Sequence, residues 1–403
     1  MELFWLEHKK LWRKKIVKIC VLLCFVYCVI FGSILSFQWF CFGSSDDYTS
    51  AFGNNFDGYT VIKDSQEYAL SFGGELTDET LQQIVSDYQQ MEADGMEEEL
   101  EKTDWQIVNS WLGTLYPELR DTSNYKTMIS YVDPDKLTGF YERRQQVLDE
   151  FLEVSGQVGA EKEFLHQIER KVEKPFRYEW VEGWSTLLGS MVADLGVVMA
   201  LFLGIVLSSL FAGEWHDNTS TLVLTTRNGW GKIALAKILT GLAFTVELFA
   251  LLAVSSVISQ LFFMGTAGWN MPIQNIKLIA VAPMNMLQAE IYEYAFVLLG
   301  AIGFAGIVMF ISAAVKNNVL TLLLSLAVVY GPMMIAEYLP YEMQKALDLI
   351  PLVGSSTDIF RTNTFRIFGK LIWSPYLLIT IPVLIGILCM PFAIKSWSRR
   401  MKA

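Results

Sequence analysis

Long apolar runs alternate with polar segments along the chain, and six of the runs are long enough to cross a bilayer as helices. A helix needs about 20 consecutive apolar residues to span the hydrocarbon core of a membrane. The six runs cover residues 16–42, 186–212, 233–264, 291–315, 319–337 and 373–394. The pattern therefore predicts an all-α polytopic membrane protein with six transmembrane helices.

The long polar segment between the first two runs, residues 43–185, differs from the rest of the chain in its charge. From residue 44 to residue 185 there are 12 Lys and Arg against 30 Asp and Glu, whereas the remainder carries 19 basic and 12 acidic residues. Apolar residues recur at helical spacing behind a Thr77 cap, as in Leu81, Ile84, Val85 and Tyr88. We therefore expect an acidic, mainly helical domain outside the membrane.

The first 15 residues predict a helix that lies in the plane of the lipid headgroups. Its apolar and basic residues project to opposite sides, namely Phe4, Trp5, Leu11, Trp12 and Ile16 against Lys9, Lys10, Arg13 and Lys14. The apolar run behind it is longer than the core of a signal peptide and has no small-residue cleavage site, so we expect it to stay as a membrane anchor.

The distribution of Lys and Arg predicts the orientation, because these residues favour the cytoplasmic side of a membrane. With both termini in the cytoplasm, the cytoplasmic segments carry 14 basic residues and the short outer loops carry 5. We therefore predict a multi-pass protein of the cell membrane, with residues 43–185 as an extracellular domain.

Composition and motifs argue against several functions. The acidic segment argues against a nucleic-acid partner, because neutralising phosphates requires clustered Lys and Arg. No H-E-x-x-H pair and no C-x-x-C pair is present, and we expect the three histidines to face solvent. Cys20, Cys24 and Cys28 share one helix face and are interpreted as packing residues. We expect no catalytic residue, metal site or cofactor in this chain.

The segment that joins the second and third predicted spans, residues 213–232, carries an unusual pattern. Glu214 stands where the apolar run ends, a Thr/Ser patch that includes Thr219 follows, and Lys237 lies at the start of the next run. Between these charged residues the chain inserts an apolar ridge made of Leu222, Val223 and Leu224. An apolar ridge in a connecting loop favours a short amphipathic helix that docks on another protein.

With these residues the chain resembles permease subunits of ATP-binding-cassette exporters of the type-2 class, in the branch with a large extracellular domain after the first transmembrane helix. Glu214, Thr219, the ridge and Lys237 take the places of the Glu, Thr, Leu-rich stretch and Lys of that family without gaps. The chain departs from the family where it has Asn218 for Gly, Arg227 for Pro and Gly229-Trp230 for Ser-Arg.

The resemblance implies that Glu214, Thr219, the ridge, Arg227 and Lys237 couple this chain to an ATPase, through a helix near residues 218–227. It also implies an extracellular re-entry of short helices at residues 337–372. ATP and Mg would bind to separate ATPase subunits, since the chain has no phosphate-binding loop. A second permease, identical or related, would complete the assembly in membrane lipid. The expected cargo is amphipathic or hydrophobic, with a peptide as first choice.

Two ionisable residues within the predicted spans, Glu247 and Asp194, are candidates for a transport path, because such residues usually face the bundle interior or a water-filled cavity. Glu247 falls near the middle of the third predicted span, and a structural role is an equal alternative. For Asp194 a structural role is favoured. Glu290 and Glu293 flank the fourth span and are expected at the membrane interface.

Two other functions remain open from the sequence. A permease of the same class could export sodium or drugs. A receptor or scaffold in the membrane could instead bind a ligand through the acidic domain without pumping, and would work without an ATPase partner.

Overall fold

The structure, a computed structural model, describes residues 2–30, 66, 73–96, 105–121, 126–217, 219, 231–354 and 362–399. This part of the chain is mostly helical. Five of its helices are long and apolar enough to cross a membrane, so the chain is a multi-pass membrane protein. The first predicted span is described only in its beginning, since residues 31–42 lie outside the described residues.

The helices of the membrane part lie on both sides of the acidic segment in the chain. Two N-terminal helices, α1 (Glu2–Arg13) and α2 (Lys15–Val29), precede the acidic segment. A short helix α7 (Glu182–Thr186) and a π-helical turn, Leu187–Met191, follow it. The five candidate spans are α8 (Val192–His216), α9 (Lys232–Met264), α10 (Met286–Ala314), α11 (Asn318–Ile335) and α13 (Ser374–Arg399).

Helix α10 is the centre of the bundle and packs most extensively against α13 and α8. Glycines allow the close approach of α10 and α13, as small residues do between membrane helices. A Cβ at Gly303 would lie 2.2 Å from the carbonyl oxygen of Pro382, and one at Gly306 would lie 2.5 Å from that of Gly386. The backbones therefore meet at a distance that larger residues at these positions would not permit.

The described residues 73–96, 105–121 and 126–181 of the acidic segment form a domain of helices packed on one apolar core, which is called the acidic domain below. Its elements are β1 (Gly74–Leu76), α3 (Asp78–Ala93), α4 (Gln106–Leu115), α5 (Phe140–Val154), α6 (Ala160–Glu169) and β2 (Phe176–Tyr178). As the pattern predicted, Thr77 caps α3, and its hydroxyl accepts a hydrogen bond from the Thr80 backbone N–H. Strands β1 and β2 pair antiparallel, so the chain is not strictly all-α.

The predicted re-entry at residues 337–372 is only partly helical. It begins with the helix α12 (Tyr341–Leu347) and ends with an antiparallel hairpin of β3 (Thr364–Ile367) and β4 (Lys370–Trp373), which leads directly into α13. Short helices therefore do not account for its end. The hairpin is covered at its base, where Thr364 and its partner Trp373 are buried, and it is exposed toward its turn, as at Arg366.

A buried arginine joins the acidic domain to the loop between α9 and α10. The Arg144 side chain is fully buried and lies 2.6 Å from Glu169, which is itself almost fully buried. Its remaining nitrogens donate hydrogen bonds to the carbonyl oxygens of Leu278 and Ala280, at 2.7 and 3.1 Å. Every nitrogen of the guanidinium therefore has a partner, and two of the three partners belong to the loop of the membrane part.

We expect acid to weaken this contact. Burial alone would raise the pKa of Glu169, but hydrogen bonds and charges from Lys174 and Arg144 hold it below its usual 4.5. A carboxyl with a lowered pKa stabilises the fold above its unfolded-state pKa, and this stabilisation is lost as the pH falls through the folded-state value. The free energy of unfolding should therefore drop below about pH 4.5 in denaturation curves, and Glu169→Gln should reduce the slope. An equal slope in both proteins would contradict the prediction.

Candidate functional site

The N-terminal helix α1 packs along α9 and contacts it through polar as well as apolar side chains. Leu11 is its one fully buried residue, whereas Trp5 and Leu6 are more than 60% exposed. The face toward α9 includes Glu7 and His8, one helical turn before Leu11, and both are partly buried. The sequence predicted a helix in the plane of the lipid headgroups, and that prediction did not include the polar residues by which α1 contacts the other helices.

Four charged side chains meet where α1, α8 and α9 come together, and we call them the charge cluster: Glu7, Lys10, Glu214 and Lys237. Lys237 is 1% exposed and Glu214 is 4% exposed. The Lys237 Nζ lies 2.9 Å from Glu214 Oε1 and 2.8 Å from Glu7 Oε2. Lys10 Nζ donates to the same Glu214 oxygen at 2.6 Å. Two cations therefore neutralise Glu214, and the two anions lie on different helices.

Glu214 is also tied to the segment that follows α8. The Thr219 hydroxyl donates a hydrogen bond to Glu214 Oε2, and the Thr219 backbone N–H donates to the Glu214 carbonyl oxygen at 3.0 Å. The carboxylate therefore fixes the first residues of the predicted coupling segment. The other residues predicted for that segment, Leu222, Val223, Leu224 and Arg227, lie outside the described residues.

The charge cluster and burial shift the pKa values of two N-terminal lysines in opposite directions. For Lys10, burial is the largest influence and would lower the pKa, but the hydrogen bond to Glu214 and nearby carboxylates raise it above its usual value. For Lys14, burial together with the charges of Lys237 and Lys10 lowers the pKa. Lys14 instead donates a hydrogen bond to Ser209 Oγ on α8 at 2.9 Å.

Glu247, one of the two residues predicted for a transport path, is held by α1. Trp12 Nε1 donates to Glu247 Oε2 at 3.0 Å, and His8 Nε2 lies 3.2 Å from Glu247 Oε1. His8 is therefore not solvent-facing as predicted, and neither is His166, whose ring lies 2.8 Å from Asp149. Among the described residues no hydrogen bond or ion pair joins Asp194 to Glu247. The transport-path role of both stays a prediction.

Besides Glu214, the bundle buries Glu290 and Glu293 on α10, which are 3% and 4% exposed. The sequence predicts them at the membrane interface, which stays a prediction, but it does not predict that they face the other helices. Their spacing could have indicated this burial. Glu290 and Glu293 lie at helical spacing from Met286 and Val297, on the face of α10 that packs against the other helices. A Glu on an apolar stripe points into the bundle even when it stands near a helix end.

The charge cluster can act as a mechanical link rather than as a catalytic site. Its two anions and two cations connect α1, α8 and α9, and Glu214 adds the start of the loop that follows α8. A buried ion pair offsets the cost of its desolvation only when its geometry is good. A displacement of one of these helices must therefore move the others or break the ion pairs. The sequence identified Glu214, Thr219 and Lys237, whereas Glu7 and Lys10 were assigned to a surface helix.

Comparison with protein-family models, with curated proteins and with solved structures finds no significant match to this chain.

Proposed function

We propose that this protein is the membrane subunit of an ATP-driven exporter, with its motor on separate ATPase subunits. The observation that supports the proposal best is the position of Glu214. It ends a candidate span, it is bound by Lys10 and Lys237, and its carboxylate holds the start of the segment predicted to dock on the ATPase. A force on that segment would reach α1, α8 and α9 together.

In this proposal the protein has six transmembrane helices, both termini in the cytoplasm, and the acidic domain outside the cell. ATP-driven closure of two ATPase subunits would pull the segments after α8 toward each other, and the charge cluster would pass the movement to three helices. Two permease subunits would form the pore region, and the cargo would be an amphipathic or hydrophobic molecule, with a peptide as first choice. ATP and Mg would be bound by the ATPase alone.

The test is purification with an ATPase subunit encoded beside this chain, followed by measurement of ATP hydrolysis in lipid nanodiscs. Leu222→Asp should prevent binding of the ATPase, because it places a charge on the docking ridge. Glu214→Ala should preserve binding but abolish the stimulation of ATP hydrolysis by cargo. Glu182→Ala, a substitution on α7 away from the charge cluster, is the control that should change neither property.

If both substitutions leave binding and stimulated hydrolysis unchanged, the proposal fails. A protein that binds its ligand through the acidic domain and behaves normally without any ATPase would support a receptor or scaffold instead.

A further inference from the structure

The hairpin of β3 and β4 turns through two residues, Phe368 and Gly369. The register pairs Ile367 with Lys370, so these two residues form the whole loop. Their φ angles are +49° and +79°, which places both in the left-handed region. Two-residue hairpin loops with this backbone form a type I′ turn, in which Asn-Gly and Asp-Gly are strongly preferred. Phenylalanine is strained in the left-handed region, because its Cβ comes too close to the following carbonyl oxygen.

The strain is not offset by packing within the protein. The Phe368 side chain is fully exposed, with a relative exposure of 102%. An aromatic residue that neither suits its turn nor packs on its own fold gains stability only from something that covers it. The other positions of the hairpin are at least partly covered or polar, so the exposed aromatic surface is concentrated at the tip.

The chain around the hairpin indicates what covers the tip. Strand β4 ends at Trp373, and α13, a candidate membrane span, begins at the next residue. Four strand residues cover only about 13 Å, so the tip lies no farther than about this distance from the start of the candidate span. The 61% exposed Tyr376 adds an aromatic ring at the same helix end, as in the aromatic belts of membrane proteins.

The positive charge of Lys370, beside the tip, also suits a position among lipid headgroups. Lys370 follows the turn and is exposed, and within the described residues it makes no ion pair. Arg366, the other cation of the hairpin, pairs with Glu161 of the acidic domain, and the buried Thr364 hydroxyl donates a hydrogen bond to Gln157 Oε1 of that domain at 2.7 Å. A free lysine next to an exposed aromatic ring is the combination that binds anionic headgroups and the boundary of the acyl chains.

We propose that the β3–β4 hairpin is a lipid anchor. Phe368 inserts its ring between the headgroups of the leaflet next to the start of α13, and Lys370 contacts lipid phosphates. The acidic domain is thereby held at a fixed height above the bilayer through the buried Thr364–Gln157 hydrogen bond, beside the exposed Arg366–Glu161 pair. This anchor does not depend on the transport function and would serve a receptor equally well.

The test uses the full chain in lipid nanodiscs, with the five native cysteines replaced by serine. A fluorescent label is attached at Phe368→Cys, and quenching by lipids brominated at the top of their acyl chains is measured. We expect several-fold stronger quenching there than at Met96→Cys, an exposed apolar position after α3 in the acidic domain. Equal quenching at the two positions would overturn the anchor.

A second variant tests whether Phe368 itself holds the tip in the lipid. The label is placed at Lys370→Cys, with either Phe368 or Phe368→Asn, which suits the type I′ turn. The Asn variant should fold at least as well, because its turn is less strained, and the label should lose most of its quenching. Unchanged quenching would show that Phe368 does not anchor the hairpin and would refute the proposal.

Discussion

Replacing Lys237 by methionine is expected to lower the free energy of unfolding by about 3–5 kcal/mol, the usual cost of removing one partner from a buried ion pair. Methionine matches the length of the lysine stem, so packing changes little. The loss arises because Glu7 loses its buried cation and Glu214 keeps only Lys10. Denaturation in mixed micelles, followed by intrinsic fluorescence, measures the effect.

Lys232→Met provides the matched control, because this lysine lies on the first turn of the same helix and is exposed. It should change stability by less than about 0.5 kcal/mol, as surface substitutions usually do. The double variant Lys237→Met with Glu214→Gln should lose less than the sum of the two single variants, since residues in one ion-pair network couple. Additive losses would mean that the two side chains do not interact.

Replacing Arg144 by methionine should cost about 3–5 kcal/mol as well, since it leaves the nearly buried Glu169 with Lys174 alone. Here the structure also predicts where the loss occurs. The carbonyl oxygens of Leu278 and Ala280 would lose their guanidinium donor. Hydrogen exchange should therefore rise in residues 273–282 and at the facing side of the acidic domain, while the helices α10 and α13 keep their protection.

Arg143→Met is the control for Arg144→Met, because Arg143 is the adjacent residue and its ion pair is exposed. It pairs with Glu118 and lies over the ring of Tyr116, but its side chain is 30% exposed. Exposed pairs contribute about 0–1 kcal/mol, so Arg143→Met should leave exchange in the loop unchanged. If both arginine variants released the loop to the same degree, the buried contact would not be what docks the acidic domain.

The apolar runs predicted the described spans well because the bilayer imposes a length and a composition that single residues cannot override. The helix behind Thr77 was equally predictable, since a cap and a helical repeat are local signals. The β3–β4 hairpin was missed. Its Phe368-Gly369 turn lacks the Asn or Asp that marks such turns, and without that signal four-residue strands are not recognised.

The charged residues show the limit of the sequence most clearly. Their identities and spacing determined that Glu214 and Lys237 stand at the ends of neighbouring spans, and the acidic balance marked off a separate domain. Only the tertiary structure decided that Glu7 and Lys10, more than 200 residues away in the chain, complete the charge cluster, and that Arg144 reaches the loop after α9. The physical reason is that periodicity reports which face of a helix is apolar. The partner of a buried charge is instead chosen by helix packing across the whole chain.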